Sequence, residues 1–191
     1  MIEWLHPGLV YLFGALAIPF FRERPGAQTA RNVYLIGVTV TALLAVVWME
    51  PGTYGSVTLS GREMVLGRVD KTSTLFAYVF TIMGLIGTLY GLHVRKPGEH
   101  VAAFLYVAGA LGVVFAADFF GLYLFWELMA FASVYLIFAQ GGRGAIQAGF
   151  RYILVHVSGG VILLAKSYCT LPTPARRRLG PCRMTAALRF T

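Results

Sequence analysis

The sequence predicts an all-α polytopic membrane protein with about six transmembrane helices. Three observations carry this expectation. Of the 191 residues, 58% are hydrophobic and 13% charged, about half the charged share of an ordinary globular domain. The mean hydropathy is +0.70, and the charges cluster between long apolar runs. Those runs have no polar face, which a helix covering a water-soluble core would need. The net charge of +8 does not point to nucleic acid, because nearly all basic residues sit in short linkers or beyond Ala165.

The elements follow in order. The first span, roughly 5–21, is opened by His6-Pro7 and closed by Arg22-Glu23-Arg24. No small-residue cleavage site follows it, so it reads as a retained span and not as a signal peptide. The second span covers roughly 32–49 and is closed by "EPG". Residues 50–72 differ: "SVTL" and "EMVL" flank Ser60-Gly61-Arg62, the pattern of a small extramembrane hairpin. The third span, roughly 73–93, is capped by Asp70. The fourth covers roughly 100–117, and "AAD" then forms a tight turn ending at Asp118. The fifth, 119–139, is followed by a "QGGRG" loop, and the sixth runs roughly over 146–165. Each is long enough to cross about 30 Å of hydrocarbon at about 1.5 Å per residue. His93, Glu99 and His100, around the third loop, read as solvated interface residues.

Small residues recur on two helix faces: Gly84, Gly87, Thr88 and Gly91 on the third span, and Gly109, Gly112 and Ala116 on the fourth. In lipid such faces let backbones approach. Orientation follows from the loop cations. The odd loops carry Arg22, Arg24, Arg31, Arg95, Lys96 and Arg143; the even loops carry Arg62, Arg68 and Lys71. This bias places the N-terminus outside and the odd loops in the cytoplasm.

The expected organisation is a six-helix transmembrane domain, 1–165, containing the loop or hairpin at 50–72. A basic, disordered tail follows at 166–191. The tail holds Lys166, Arg176, Arg177, Arg178, Arg183 and Arg189 without an acid. It is either a natural basic tail or the product of a reading-frame change truncating a longer protein, and its change of composition favours the second. Cys169 and Cys182 lie there in no metal or redox motif, and a disulfide cannot be inferred from them.

Glu127 is the main chemical signal. An ionised carboxylate at mid-bilayer costs at least about 2.5 kcal/mol, so it normally faces protein or water and has a partner. Tyr123, Leu124, Ala130 and Phe131 share its face, and Tyr123 offers a hydrogen bond. On the sixth span Tyr152, His156, Gly159 and Gly160 share one face; His156 suits a proton relay, or a structural role. Arg151 reads as an interface anchor or as part of an ion path. Asp118 reads as a helix cap or as a group at the path's mouth. The sequence contains no nucleophile elbow, phosphate loop, haem-attachment motif or zinc spacing, so no cofactor and no soluble active site are expected.

Three stretches carry a resemblance: "AADFFGLYLFWELMAFASVYLIFA", "AGFRYILVHVSGGVILLA" and "VDKTSTLFAYVFTIMGLIGTLYGLHVRKPGEHVAAFLYV". Together they resemble the antiporter-like subunits of respiratory complex I, membrane-bound hydrogenases and multisubunit sodium/proton antiporters, most of all the D-type antiporter subunit. The resemblance covers roughly residues 1–165. It implies that Glu127, in its "WE" pair, is the family's proton-site glutamate. It also implies that "RY", His156 and the glycines belong to the next helix. In the family that glutamate pairs with a lysine of a seventh helix, within two inverted repeats. The chain matches the first six helices and resembles a truncated antiporter-like subunit. The implied function is proton or sodium/proton movement in the plasma (inner) membrane, beside other membrane subunits. Two other readings stand beside it. One is a non-transporting scaffold or assembly fragment. The other is a membrane subunit of an NADH-quinone oxidoreductase or hydrogenase complex, with any redox chemistry on partner chains.

Overall fold

The computed structural model describes residues 6–21, 27–59 and 62–169. Among the described residues six apolar helices and one hairpin make the fold: α1 (Pro7–Ala17), α2 (Ala27–Val47), β1 (Gly52–Leu59), β2 (Arg62–Val69), α3 (Lys71–Gly91), α4 (Pro97–Phe115), α5 (Phe119–Ala139) and α6 (Gly142–Cys169). Helices α2 to α6 are each long and apolar enough to cross a membrane. The chain is a multi-pass membrane protein. The first span is shorter than its apolar run promised. Its α-helix has 11 residues and passes at Ile18-Pro19 into a three-residue 3-10 turn, because Pro19 lacks the N–H that would continue the ladder.

Each boundary has a local cause. His6 caps α1 by accepting from the Gly8 N–H at 2.9 Å, with Pro7 at the first helical position. Asp70 caps α3: its carboxylate accepts from the Ser73 N–H at 2.8 Å, while the Ser73 hydroxyl accepts from the Asp70 N–H at 2.7 Å. These bonds hold the Asp70 carboxyl below the usual carboxylate range. Helix α4 starts earlier than the apolar run because Pro97 fits the first turn, where no N–H is needed. Gly141 and Gly142 turn the chain into α6 with φ of 75° and 86°, values that favour glycine.

Helix α4 lies at the centre, packed against α1, α3 and α5, while α6 lies at the edge against α5. Half of the α4 span is buried, against 11% of the α6 span. Tyr11, Leu35, Phe104, Leu111 and Phe115 anchor the core, with the Tyr11 ring edge-on to Phe104 at 5.3 Å. The hairpin is antiparallel, pairing Gly52 with Val69 and Leu59 with Arg62, and its last residue, Val69, enters the core. Ser60 and Gly61, at its turn, lie outside the described residues.

The small-residue faces divide. At Gly109 a Cβ would lie 2.6 Å from Met129 Cγ and 2.9 Å from the Phe125 carbonyl oxygen, and at Gly112 it would run into the Phe125 ring. These two glycines set the α4–α5 contact. Gly84 receives the Tyr11 hydroxyl, 2.5 Å from where a Cβ would sit, but nothing lies within 4 Å of Gly87.

One expectation at the third loop is overturned. His100 is buried, at 6% exposure, and its Nε2 lies 3.0 Å from the Val94 carbonyl. It therefore donates from Nε2 and is no solvated interface residue. Arg31 is likewise 6% exposed. Its guanidinium donates to the carbonyls of Arg95 and Val94, both at 2.7 Å, and Asn32 donates to that of Leu92 at 3.3 Å. Three hydrogen bonds from two side chains, Arg31 and Asn32, thus tie the α3–α4 loop to the start of α2. His93 stays exposed and Glu99 pairs with Lys96 at 3.6 Å.

Helix α6 continues through Ala165-Lys166 to Cys169, since "KSYC" contains neither proline nor glycine. Residues 170–191, with Cys182 and the arginine cluster, lie outside the described residues.

Candidate functional site: an ionisable cluster between α5 and α6

The site is built where two helices of opposite direction present one face each. On α5, Tyr123 and Glu127 are one turn apart and share a face. On α6, Tyr152, His156 and Gly160 repeat at the same four-residue interval. The two faces meet at Gly160. A Cβ there would collide with Glu127 Oε1 and lie 3.0 Å from Tyr123 Cε2. The absent side chain of Gly160 thus makes the seat into which the carboxylate fits.

One turn away, His156 lies between two aromatic rings. It stacks on Trp126 of α5 at 5.4 Å and 22°, and on Tyr152 of its own helix at 5.7 Å and 20°. Both ionisable groups are held by shape. Glu127 Oε1 and His156 Nε2 are buried atoms with no hydrogen-bond partner among the described residues. Neither group makes an ion pair among the described residues.

The five sequence-derived site residues separate into two sets. Glu127, Tyr123 and His156 come together at the α5–α6 contact. Asp118 stands at the start of α5, about 14 Å along the axis from Glu127 at 1.5 Å per residue. It caps that helix, accepting from the Gly121 N–H at 2.6 Å. Arg151 is exposed and makes no ion pair among the described residues. Sequence reasoning missed Trp126. It neighbours Glu127 in the chain, but consecutive helix residues point about 100° apart, so its contact with His156 had no periodic signal. Gly159 and Gly160 looked equivalent in the sequence, yet only Gly160 meets α5; nothing lies within 4 Å of Gly159. Among the described residues no group of three His, Cys, Asp or Glu side chains converges to hold a metal.

These features define the class: a polytopic helical membrane protein with a half-buried ionisable cluster between two spans. No protein-family model matches the chain. It is 32% identical over 102 residues to the Na(+)/H(+) antiporter subunit A1 of Staphylococcus haemolyticus, a match covering 50% of this chain and 13% of that protein. It is 28% identical over 166 residues to NADH-quinone oxidoreductase subunit M of Rhodobacter capsulatus, covering 80% of this chain and 32% of that one. Among solved structures, a chain of the archaeal membrane-bound sulfane sulfur reductase, a respiratory membrane complex, superposes with a TM-score of 0.65 at 27% identity. That match covers 84% of this chain and 26% of that one. A chain of the Mrp complex from Dietzia sp. DQ12-45-1b gives a TM-score of 0.73 over 88% of this chain and 19% of that one; at 24% identity this likeness speaks for the fold. The chain is homologous to the antiporter-like membrane subunits, the family its sequence resembles. It spans a third or less of the relatives' length.

Proposed function

We propose that this chain is the N-terminal part of a subunit that moves protons, or exchanges sodium for protons, in a multisubunit complex of the plasma (inner) membrane, with its N-terminus outside. The observation that carries the reading is the Glu127 carboxylate seated over Gly160, with a buried oxygen that no described residue bonds. An ionisable carboxylate set between two apolar spans, with an oxygen left unbonded, is the kind of group that carries protons through a membrane protein. His156, one turn along, is the neighbouring relay group, and Tyr123 packs beside the carboxylate. Asp118 and Arg151 stand outside this cluster and serve in this reading as helix cap and interface anchor. The partners in this reading are protons, sodium as the exchanged ion, the lipid bilayer and other membrane subunits; the last of these is supported by the solved relatives, which belong to membrane complexes.

The test is Glu127→Gln in the chain assembled in its complex. Proton-linked fluorescence quenching in everted vesicles should be abolished, and blue native electrophoresis should show the complex intact. Unchanged quenching would overturn the assignment. The thin burial of α6 also supports a scaffold reading, in which α6 docks partner helices and Glu127→Gln leaves transport untouched. The match to an NADH-quinone oxidoreductase subunit supports membership of such a complex, with redox chemistry on its partners.

A further inference from the structure

We infer that the chain carries a binding site for an anionic phospholipid in the cleft between the end of α1, the start of α4 and the second half of α5. The cleft has a volume of ≈ 510 Å³ and an almost wholly apolar lining that includes Pro19, Gly98, Val101, Leu105, Leu128 and Tyr135. That volume falls within the roughly 300–1,000 Å³ of sites that enclose a small molecule. The occupant is one acyl chain, because the cleft offers hydrocarbon contact and a single polar tip. That tip is the Tyr135 hydroxyl, which lies over Gly98 where a Cβ would collide with it. It makes no hydrogen bond among the described residues, so it is free to donate to an ester carbonyl. Aromatic residues with one wet end suit this depth of a bilayer.

Charge selects the headgroup. Arg95 and Lys96 immediately precede Pro97 and Gly98, which line the cleft, so the chain carries two cations next to its α4 end. Arg95 is exposed and its side chain makes no ion pair among the described residues. Lys96 shares its charge with Glu99 at 3.6 Å. The loops at this end carry the larger share of the loop cations, which favours a phosphodiester without a compensating amine. Basic pockets between membrane helices bind such headgroups. The site is independent of any proton chemistry at Glu127.

Full-length chain is taken from vesicles of equal parts phosphatidylcholine and phosphatidylglycerol and weighed by native mass spectrometry. The wild type should retain phosphatidylglycerol in preference to phosphatidylcholine. Arg95→Gln, a surface change, should lower that preference roughly fivefold, the effect of one cation at a membrane surface, without lowering total retained lipid. Val101→Trp, which fills the cleft, should abolish retention of both lipids. Equal retention of the two lipids by the wild type overturns the inference, as does a preference unmoved by Arg95→Gln. If Val101→Trp misfolds by size exclusion, the Arg95→Gln ratio alone decides.

Discussion

Replacing Gly109 by alanine should weaken the bundle, and replacing Gly87 should not. Both are interior helical glycines, so the gain in helix propensity, about 1 kcal/mol, is common to the two variants and cancels in their difference. What remains is contact. At Gly109 the new Cβ would sit 2.6 Å from Met129 Cγ, 2.9 Å from the Phe125 carbonyl oxygen and 3.2 Å from the Met129 nitrogen. The thioether of methionine can swing away. The carbonyl and the amide belong to the α5 backbone, so α5 itself must retreat, by about half an ångström to reach ordinary contact. Overpacking of this kind costs about 1–3 kcal/mol. At Gly87 no atom lies within 4 Å, and no such cost arises. Gly109→Ala should therefore be about 1–3 kcal/mol less stable than Gly87→Ala, a tenfold shift in the unfolding constant for roughly each 1.4 kcal/mol. The assay is equilibrium unfolding of the full chain from mild-detergent micelles by added sodium dodecyl sulfate. Tryptophan emission provides the signal, with Trp126 on α5 as a local reporter. Equal midpoints for the two variants would refute the claim that Gly109 sets the α4–α5 distance.

Two further outcomes follow from side chains at helix ends. Arg31→Lys keeps the charge but cannot reproduce a fork that reaches two carbonyls. It should lose about 1.5–3 kcal/mol, the worth of one charged hydrogen bond, and should raise amide hydrogen exchange in residues 92–96; unchanged exchange there would count against the tie. Asp118→Ala should cost about 0.5–2 kcal/mol through loss of the α5 cap, and Asp118→Asn should retain most of it. Equal losses in the two variants, read in the same unfolding assay, would show that the charge and not the cap is what matters.

Sequence and structure agree most closely where the local signal is physical and sharp. Asp118 caps α5, which begins and ends where the apolar run does. Boundaries moved where polarity misled: Pro97 to Glu99 look like loop but suit a first helical turn, and Lys166 to Cys169 look like tail but continue a helix. The glycine spacing identified faces, yet it could not say which face had a neighbour, so Gly109 and Gly87 read alike. The same limit hid the site's asymmetry. Glu127, Tyr123 and His156 stand out because ionisable and phenolic groups are rare in apolar runs. The contact of Trp126 with His156 and the seating of Glu127 on Gly160 rather than Gly159 depend on helix rotation, which one sequence does not encode locally. His100 was misread because histidine in a polar stretch usually faces water, whereas here a loop carbonyl folds back to meet it.

Arg31 also separates two moments in the life of the chain. The bias that orients a membrane protein acts on flanking cations while the chain inserts, and at that stage Arg31 counts as one charge among its neighbours. In the folded molecule the same guanidinium is withdrawn from water and committed to two backbone carbonyls of a loop more than sixty residues later. Those carbonyls do not exist when α2 first enters the bilayer, so the tie can close only after the third helix and the loop behind it have followed. The tie is in effect a late latch, and a chain interrupted before residue 94 would carry an inserted second helix without this fastening.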